Sequence, residues 1–269
     1  MKPSIAIVSL LGTILTVGVP AYAQSILKTG MQTLPGETAS IIDNKDSRLE
    51  YNFDLAHETF YVVVPKNYSS AQGFGLIVFM SPTDVFNRIP VGWDAVLENK
   101  KLLFAAPQNV GNNQQFNRRG GLAVVCANKL VELAKLDTNR LYIAGLSGGA
   151  RVASYVVFAH PRLFSGVCAI CGVDFCRKVS RVQATETDEY GYFTIDAQRI
   201  REAKSRVRFA LVTGSKDFRH GNILDIYNGG FRPDGFQARL LDIDGMPHAL
   251  CPASVLNESL DFIENKSRP

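Results

Sequence analysis

The run Leu141-Tyr142-Ile143-Ala144-Gly145-Leu146 is short and apolar, breaks at Ser147-Gly148-Gly149, and resumes as Ala150-Arg151-Val152-Ala153. The first part reads as a buried strand and the last as a helix, with G-x-S-x-G at the junction. Few backbones satisfy that order. The chain must reverse from strand to helix in one tight turn, which holds the serine in a strained geometry and exposes its hydroxyl. Side chains at Gly145 and Gly149 would collide with the neighbouring strand and helix. The Gly148 amide then lies at a helix N-terminus, where donors without helical partners face a developing oxyanion. A plain glycine-rich βα turn is the alternative, because short Gly/Ser motifs recur by chance.

The flanking sequence repeats the same alternation. Apolar or β-branched runs at 60–64, 74–80, 102–106, 164–171, 206–213 and 236–243 read as strands, several of them stopped by proline. Helical spacing appears at 93–99, at 122–136, near Ile223 and at 254–264. Residues 24–48 read as a polar, irregular leader and 108–120 as a long loop rich in Asn, Gln and Gly. Buried strands alternating with helices imply an α/β fold with a mostly parallel central sheet and helices on both faces. No linker or repeat interrupts residues 24–269, which favours a single domain.

Residues 1–23 read differently. Lys2, the apolar stretch 5–19 and Ala21-Tyr22-Ala23 form the charged, apolar and small-residue parts of a secretory signal peptide cut after Ala23. The apolar run is short for a bilayer span of about 20 residues, so no stable membrane anchor is expected. Export to a periplasm or the cell exterior follows. Net charge is +4, and +3 without Lys2, with the basic residues scattered, which argues against a nucleic-acid partner. The five cysteines, at 126, 168, 171, 176 and 251, would in an exported protein include some disulfide pairing. A Cys176–Cys251 bridge would tie two loops together, although sequence does not fix connectivity. Cys126 sits on the apolar face of the 122–136 helix. A zinc site from Cys168, Cys171 and Cys176 is disfavoured, since a separation of three along a strand puts the first two thiols on opposite faces.

A serine hydroxyl needs a base beside it and a third group to orient that base. Of the four histidines, His57 precedes the core strands and His160 follows the helix after Ser147. His248 lies in Gly245-Met246-Pro247-His248, just past an apolar strand, and is preferred to His220 as the general base. The strand at 206–213 ends in Gly214-Ser215-Lys216-Asp217, which makes Asp217 the preferred acid, with Asp174 as the main alternative. Ser147, Asp217 and His248 then all lie past strand ends, where functional residues of open α/β sheets belong.

The turn at 145–149, Ala159-His160-Pro161-Arg162-Leu163-Phe164, the Thr-Gly-Ser-Lys-Asp loop ending at Asp217 and Met246-Pro247-His248 together resemble the α/β-hydrolase superfamily. Within it they are most similar to secreted esterases related to polyhydroxybutyrate depolymerases and feruloyl esterases. The resemblance spans residues 60–264 and is most specific over 137–164. It implies an α/β-hydrolase fold and cleavage of an ester through an acyl-enzyme, with no metal or organic cofactor. One position departs from it. Those esterases carry His-Gly after the strand at 74–80, where this chain has Ser81-Pro82-Thr83. Pro82 has no N–H, so the second oxyanion donor falls to Ser81 or Thr83. The expected activity is that of a carboxylesterase on an ester substrate, for which sugar- or polyester-linked groups would suit the Asn- and aromatic-rich loops. A serine peptidase is an alternative. So is a catalytically weak or silent relative that binds a polymer or a partner protein.

Overall fold

The structure, a computed structural model, describes residues 27–36, 54–179 and 191–264. The signal-peptide expectation at 1–23 lies outside the described residues. One eight-stranded sheet runs through the molecule in the order β1-β2-β4-β3-β5-β6-β7-β8. Its strands are β1 (Gly30–Pro35), β2 (Thr59–Val64), β3 (Gly75–Met80), β4 (Leu102–Pro107), β5 (Leu141–Leu146), β6 (Gly166–Ile170), β7 (Arg208–Lys216) and β8 (Gln237–Pro247). The pairs β1–β2 and β2–β4 are antiparallel, and every later neighbouring pair is parallel.

Alternation along the strands explains why the sheet needs cover on both sides. In β3, Leu76, Val78 and Met80 join one apolar cluster while Ile77 and Phe79 join the other. The same division separates Val167 and Ala169 from Cys168 and Ile170 in β6. Period-two side chains that are apolar on both faces belong to strands buried between two helical layers. Helices α2 (Phe116–Ala134), α3 (Gly148–Ala159), α4 (Ala197–Arg206) and α5 (His220–Ile226) contribute to the first cluster. Helices α1 (Trp93–Lys100) and α6 (Ala253–Ile263) contribute to the second.

Two expectations are corrected. Residues 30–35, read as irregular leader, form the antiparallel edge strand β1, anchored where the buried Lys129 ammonium of α2 donates to the Pro35 carbonyl. Helix α2 begins at Phe116, inside the expected 108–120 loop. Its Gly120-Gly121 pair hid the helical signal, since glycine has weak helix propensity, yet both residues are buried under the sheet.

Helix α3 carries the nucleophile candidate at its head and the core's aromatic hub at its tail. Phe158 is fully buried and contacts the rings of Phe175, Phe193, Phe209, Phe231 and Phe236 at centroid distances of 5.2–6.4 Å. Truncation there leaves a cavity under α3. Phe158→Ala is expected to destabilise the protein by about 3–5 kcal/mol, measured by urea unfolding.

Candidate active site

Parallel strands β3, β5, β6, β7 and β8 deliver their C-terminal ends to one edge of the sheet, and the candidate residues gather there. Ser147 joins β5 to α3 with φ 56° and ψ −122°, a left-handed conformation that a non-glycine residue adopts only under constraint. The constraint is visible on each side. The Ser147 amide donates to the Ile170 carbonyl at 2.8 Å, and the Arg151 amide donates to the Ser147 carbonyl at 3.2 Å. A Cβ on Gly149 would lie 2.0 Å from the Met80 carbonyl oxygen, and one on Gly145 would lie 2.5 Å from the Gly149 backbone. Glycine at both places is therefore a steric requirement.

His248 directly follows β8, and Asp217 follows β7. Their side chains meet, with His248 Nδ1 2.6 Å from Asp217 Oδ1. An ionised carboxylate only accepts, so Nδ1–H is the donor and Nε2 is left as the proton-accepting nitrogen. Asp217 is buried and also accepts from the Thr213 hydroxyl at 2.8 Å and from the Arg219 amide at 2.9 Å. Burial pushes its carboxyl up, but hydrogen bonds from the Arg219 amide, His248, Thr213 and Cys171 outweigh burial and hold it below the usual range. The Phe218 ring stacks on the His248 imidazole at 4.0 Å between centroids.

The other candidates are engaged elsewhere. His220 Nε2 contacts both oxygens of Asp242 at 2.9 and 3.0 Å, and His57 pairs with Asp54. Asp174 accepts from Arg151 Nε at 2.7 Å and does not meet His248. Burial pushes the Asp174 carboxyl up in spite of that pairing.

A cavity of about 290 Å³ opens beside Ser147, and Gly148, Cys171, Phe218 and Asn112 are among its lining residues. Cys171 and Phe218 both border this cavity and touch the His248–Asp217 pair, so that pair lies one residue away from the space beside Ser147. At the end of β3, Ser81 Oγ contacts Thr83 Oγ1 at 2.8 Å and accepts from the Thr83 amide at 3.0 Å. The Thr83 N–H is thus already engaged, and Ser81 is the remaining backbone donor candidate of that loop. Asn112, which sequence reading placed only in an Asn-rich loop, lies against Gly148, where an added Cβ would come within 2.1 Å of its Oδ1. That Oδ1 accepts from Arg119 Nη2 at 3.2 Å.

Solved structures of other proteins share this architecture. A ferulic acid esterase aligns over 87% of this chain and 94% of its own, with a TM-score of 0.58 and 14% identity. A poly(3-hydroxybutyrate) depolymerase from Bordetella parapertussis aligns over 92% and 94%, with a TM-score of 0.61 and 14% identity. The fold is that of the α/β-hydrolases. An S-formylglutathione hydrolase from Staphylococcus aureus also aligns, over 86% of this chain and 94% of its own, with a TM-score of 0.59 and 12% identity. No family model and no curated relative matches the sequence.

Within this α/β-hydrolase scaffold the cysteines depart from expectation. All five are buried free thiols, so the expected disulfide pairing is not formed. Cys176 belongs to one apolar cluster and Cys251 to the other, and the sheet separates the two clusters. Cys168 and Cys171, expected on opposite faces, lie in the same cluster. The reason is local: β6 ends at Ile170, and Cys171 takes φ 53°, which breaks the alternation. The donors that converge are Cys171, Asp217 and His248, with ligand atoms within 4.8 Å of one another. A metal there would need a thiolate, whereas burial and the adjacent Asp217 carboxylate push the Cys171 thiol up to about 12. As a neutral thiol it has one S–H to share between the Asp217 carboxylate and the Ala249 and Pro247 carbonyls, at 3.6 and 3.8 Å for the last two. It serves the carboxylate as one more hydrogen-bond donor.

The Asp217 network links stability to pH. A carboxyl held below its unfolded value contributes stability that is present above that value, near 3.8, and is lost as pH falls through the lower folded value. The stability difference between wild type and Asp217→Asn is therefore expected to be largest above pH about 4 and to shrink in more acidic buffer. Urea unfolding of both proteins across that range measures it.

Proposed function

We propose that the protein is an exported serine hydrolase and, within that class, a carboxylesterase. The observation that supports this reading is a strained serine at the head of α3 on a cavity whose lining includes Cys171 and Phe218, the two residues that touch a histidine locked to a buried carboxylate. Ser147 Oγ would attack the acyl carbon while His248 Nε2 takes its proton. Asp217 would hold the imidazole in that tautomer and stabilise the imidazolium. The Gly148 amide, with Ser81 from the β3 loop, would donate to the tetrahedral oxyanion. Collapse would expel the alcohol with the proton returned from His248. Water, activated by the same nitrogen, would then release the acid and regenerate Ser147. No step in this sequence needs a metal or an organic cofactor. The esterases and hydrolases of the same fold support ester substrates.

A fluorophosphonate probe tests the nucleophile. Wild type is expected to be labelled and Ser147→Ala to remain unlabelled. Folded wild-type protein that takes no label would leave the silent, binding-only relative as the better account. On a short-chain ester, Asp217→Asn is expected to lower kcat by roughly 10⁴-fold, read by steady-state kinetics.

Export is part of the same reading. Cleavage after Ala23 would release a chain beginning at Gln24 to the periplasm or the cell exterior. No described helix is long and apolar enough to cross a membrane. Mass spectrometry of the protein recovered outside the cytoplasm is expected to give Gln24 as the first residue; a retained Met1 would contradict it.

A further inference from the structure

The cavity beside Ser147 carries more positive than negative charge. Three arginines, Arg119, Arg151 and Arg219, line it, with Asp174 the one carboxylate among its described lining residues. Arg151 is paired with Asp174. Arg219 lies over the Phe218 ring, 5.2 Å from its centroid, and Phe218 in turn stacks on His248. Arg119 is the anomaly. Its side chain is buried, and its hydrogen bonds go to neutral acceptors: Nε to the Val110 carbonyl at 2.7 Å, Nη2 to the Ser81 carbonyl at 3.3 Å and to Asn112 Oδ1 at 3.2 Å. Burial and the neighbouring Arg151 charge hold the Arg119 guanidinium down at about 10, against the pull of Asp84. Asp84 itself accepts from the Gly111 amide and from Gln114.

Two guanidinium groups that repel across a partly buried space, with a third at the rim, favour an anion between them. Guanidinium groups bind carboxylates through charge-assisted, often forked, hydrogen bonds. We propose that this cavity is an anion subsite that binds a carboxylate carried by the substrate, so that the hydrolase prefers esters bearing a negative charge close to the scissile carbonyl. The volume of about 290 Å³ limits the charged part to a short chain. Neutral sugar or polyester groups would leave Arg119 with neutral hydrogen-bond acceptors alone. The inference rests on the serine-hydrolase reading for its chemistry, but its binding part can be read separately.

Two matched ester pairs test it. Ethyl butyrate against monoethyl succinate puts the charge on the acyl side, and propyl butyrate against the butyrate ester of glycolic acid puts it on the alcohol side. In one pair the charged ester is expected to have a kcat/KM roughly 10- to 100-fold higher, mainly through KM. The advantage should shrink at high salt, and Arg119→Gln and Arg219→Gln should each reduce the ratio. Calorimetric titration of Ser147→Ala with succinate then separates binding from catalysis. Hydrolysis of neutral esters with no charged preference in either pair, and no succinate binding, overturns the subsite while the hydrolase reading stands. Arginine-dependent succinate binding by a protein that hydrolyses none of the four esters upholds the subsite and removes the hydrolase reading. Rescue of the preference in Arg119→Lys, at reduced strength, would distinguish charge recognition from support of the Ser81 loop.

Discussion

The close approach of Gly149 to the Met80 carbonyl is the contact on which the site depends. It draws the head of α3 against the end of β3, and only a residue without a Cβ allows it. The price is backbone strain at Ser147, of the order of 1–3 kcal/mol for a residue in such a region. Strain of that size persists because the surroundings over-determine it. Buried strands β3 and β6 flank β5, the Ser147 amide is tied to Ile170, and Phe158 locks the far end of α3 into the aromatic core. The stability of the sheet thereby fixes the position of one hydroxyl group.

The His248–Asp217 pair is built by a different balance. Burial alone would push the Asp217 carboxyl up and favour its protonated form, which orients the imidazole less well. Donors from Arg219, Thr213, Cys171 and His248 hold it ionised instead. Three of these donors are supplied by β7, the turn after it and the end of β6; His248 comes from the end of β8. Three chain segments that are distant in sequence converge only because parallel strands place their C-terminal ends side by side. Cys171 illustrates the economy of the arrangement. A left-handed φ turns its side chain out of the strand alternation and brings its thiol to the carboxylate, where it stays neutral.

Electrostatics give the cavity its character. Arg119 satisfies three backbone and side-chain acceptors around the β3 and 108–115 loops, so it braces the loop that carries Ser81 while its charge lies uncompensated by a bonded carboxylate. One side chain therefore couples the position of the Ser81 loop to the charge of the neighbouring pocket.

The apolar runs, the G-x-S-x-G turn and the three residues past strand ends were legible in the sequence because each is a local pattern: period two, period 3.6, or a turn at a strand's end. Sequence alone determined an α/β chain with Ser147 at a strand–helix turn, and it singled out Asp217 and His248, which the structure pairs with each other, as the candidate acid and base. It could not decide the rest. Strand β1 was missed because an edge strand with one exposed flank carries little apolar signal, and Met31 is indeed exposed. The start of α2 was missed because Gly120-Gly121 has weak helix propensity, while the burial that holds this helix together is set by the rest of the fold. The separation of Cys176 from Cys251, the donation of Cys171 to Asp217 and the meeting of three arginines are facts of distance between remote segments. Tertiary structure decided them, because only the folded sheet sets which strand ends, and which charges, become neighbours.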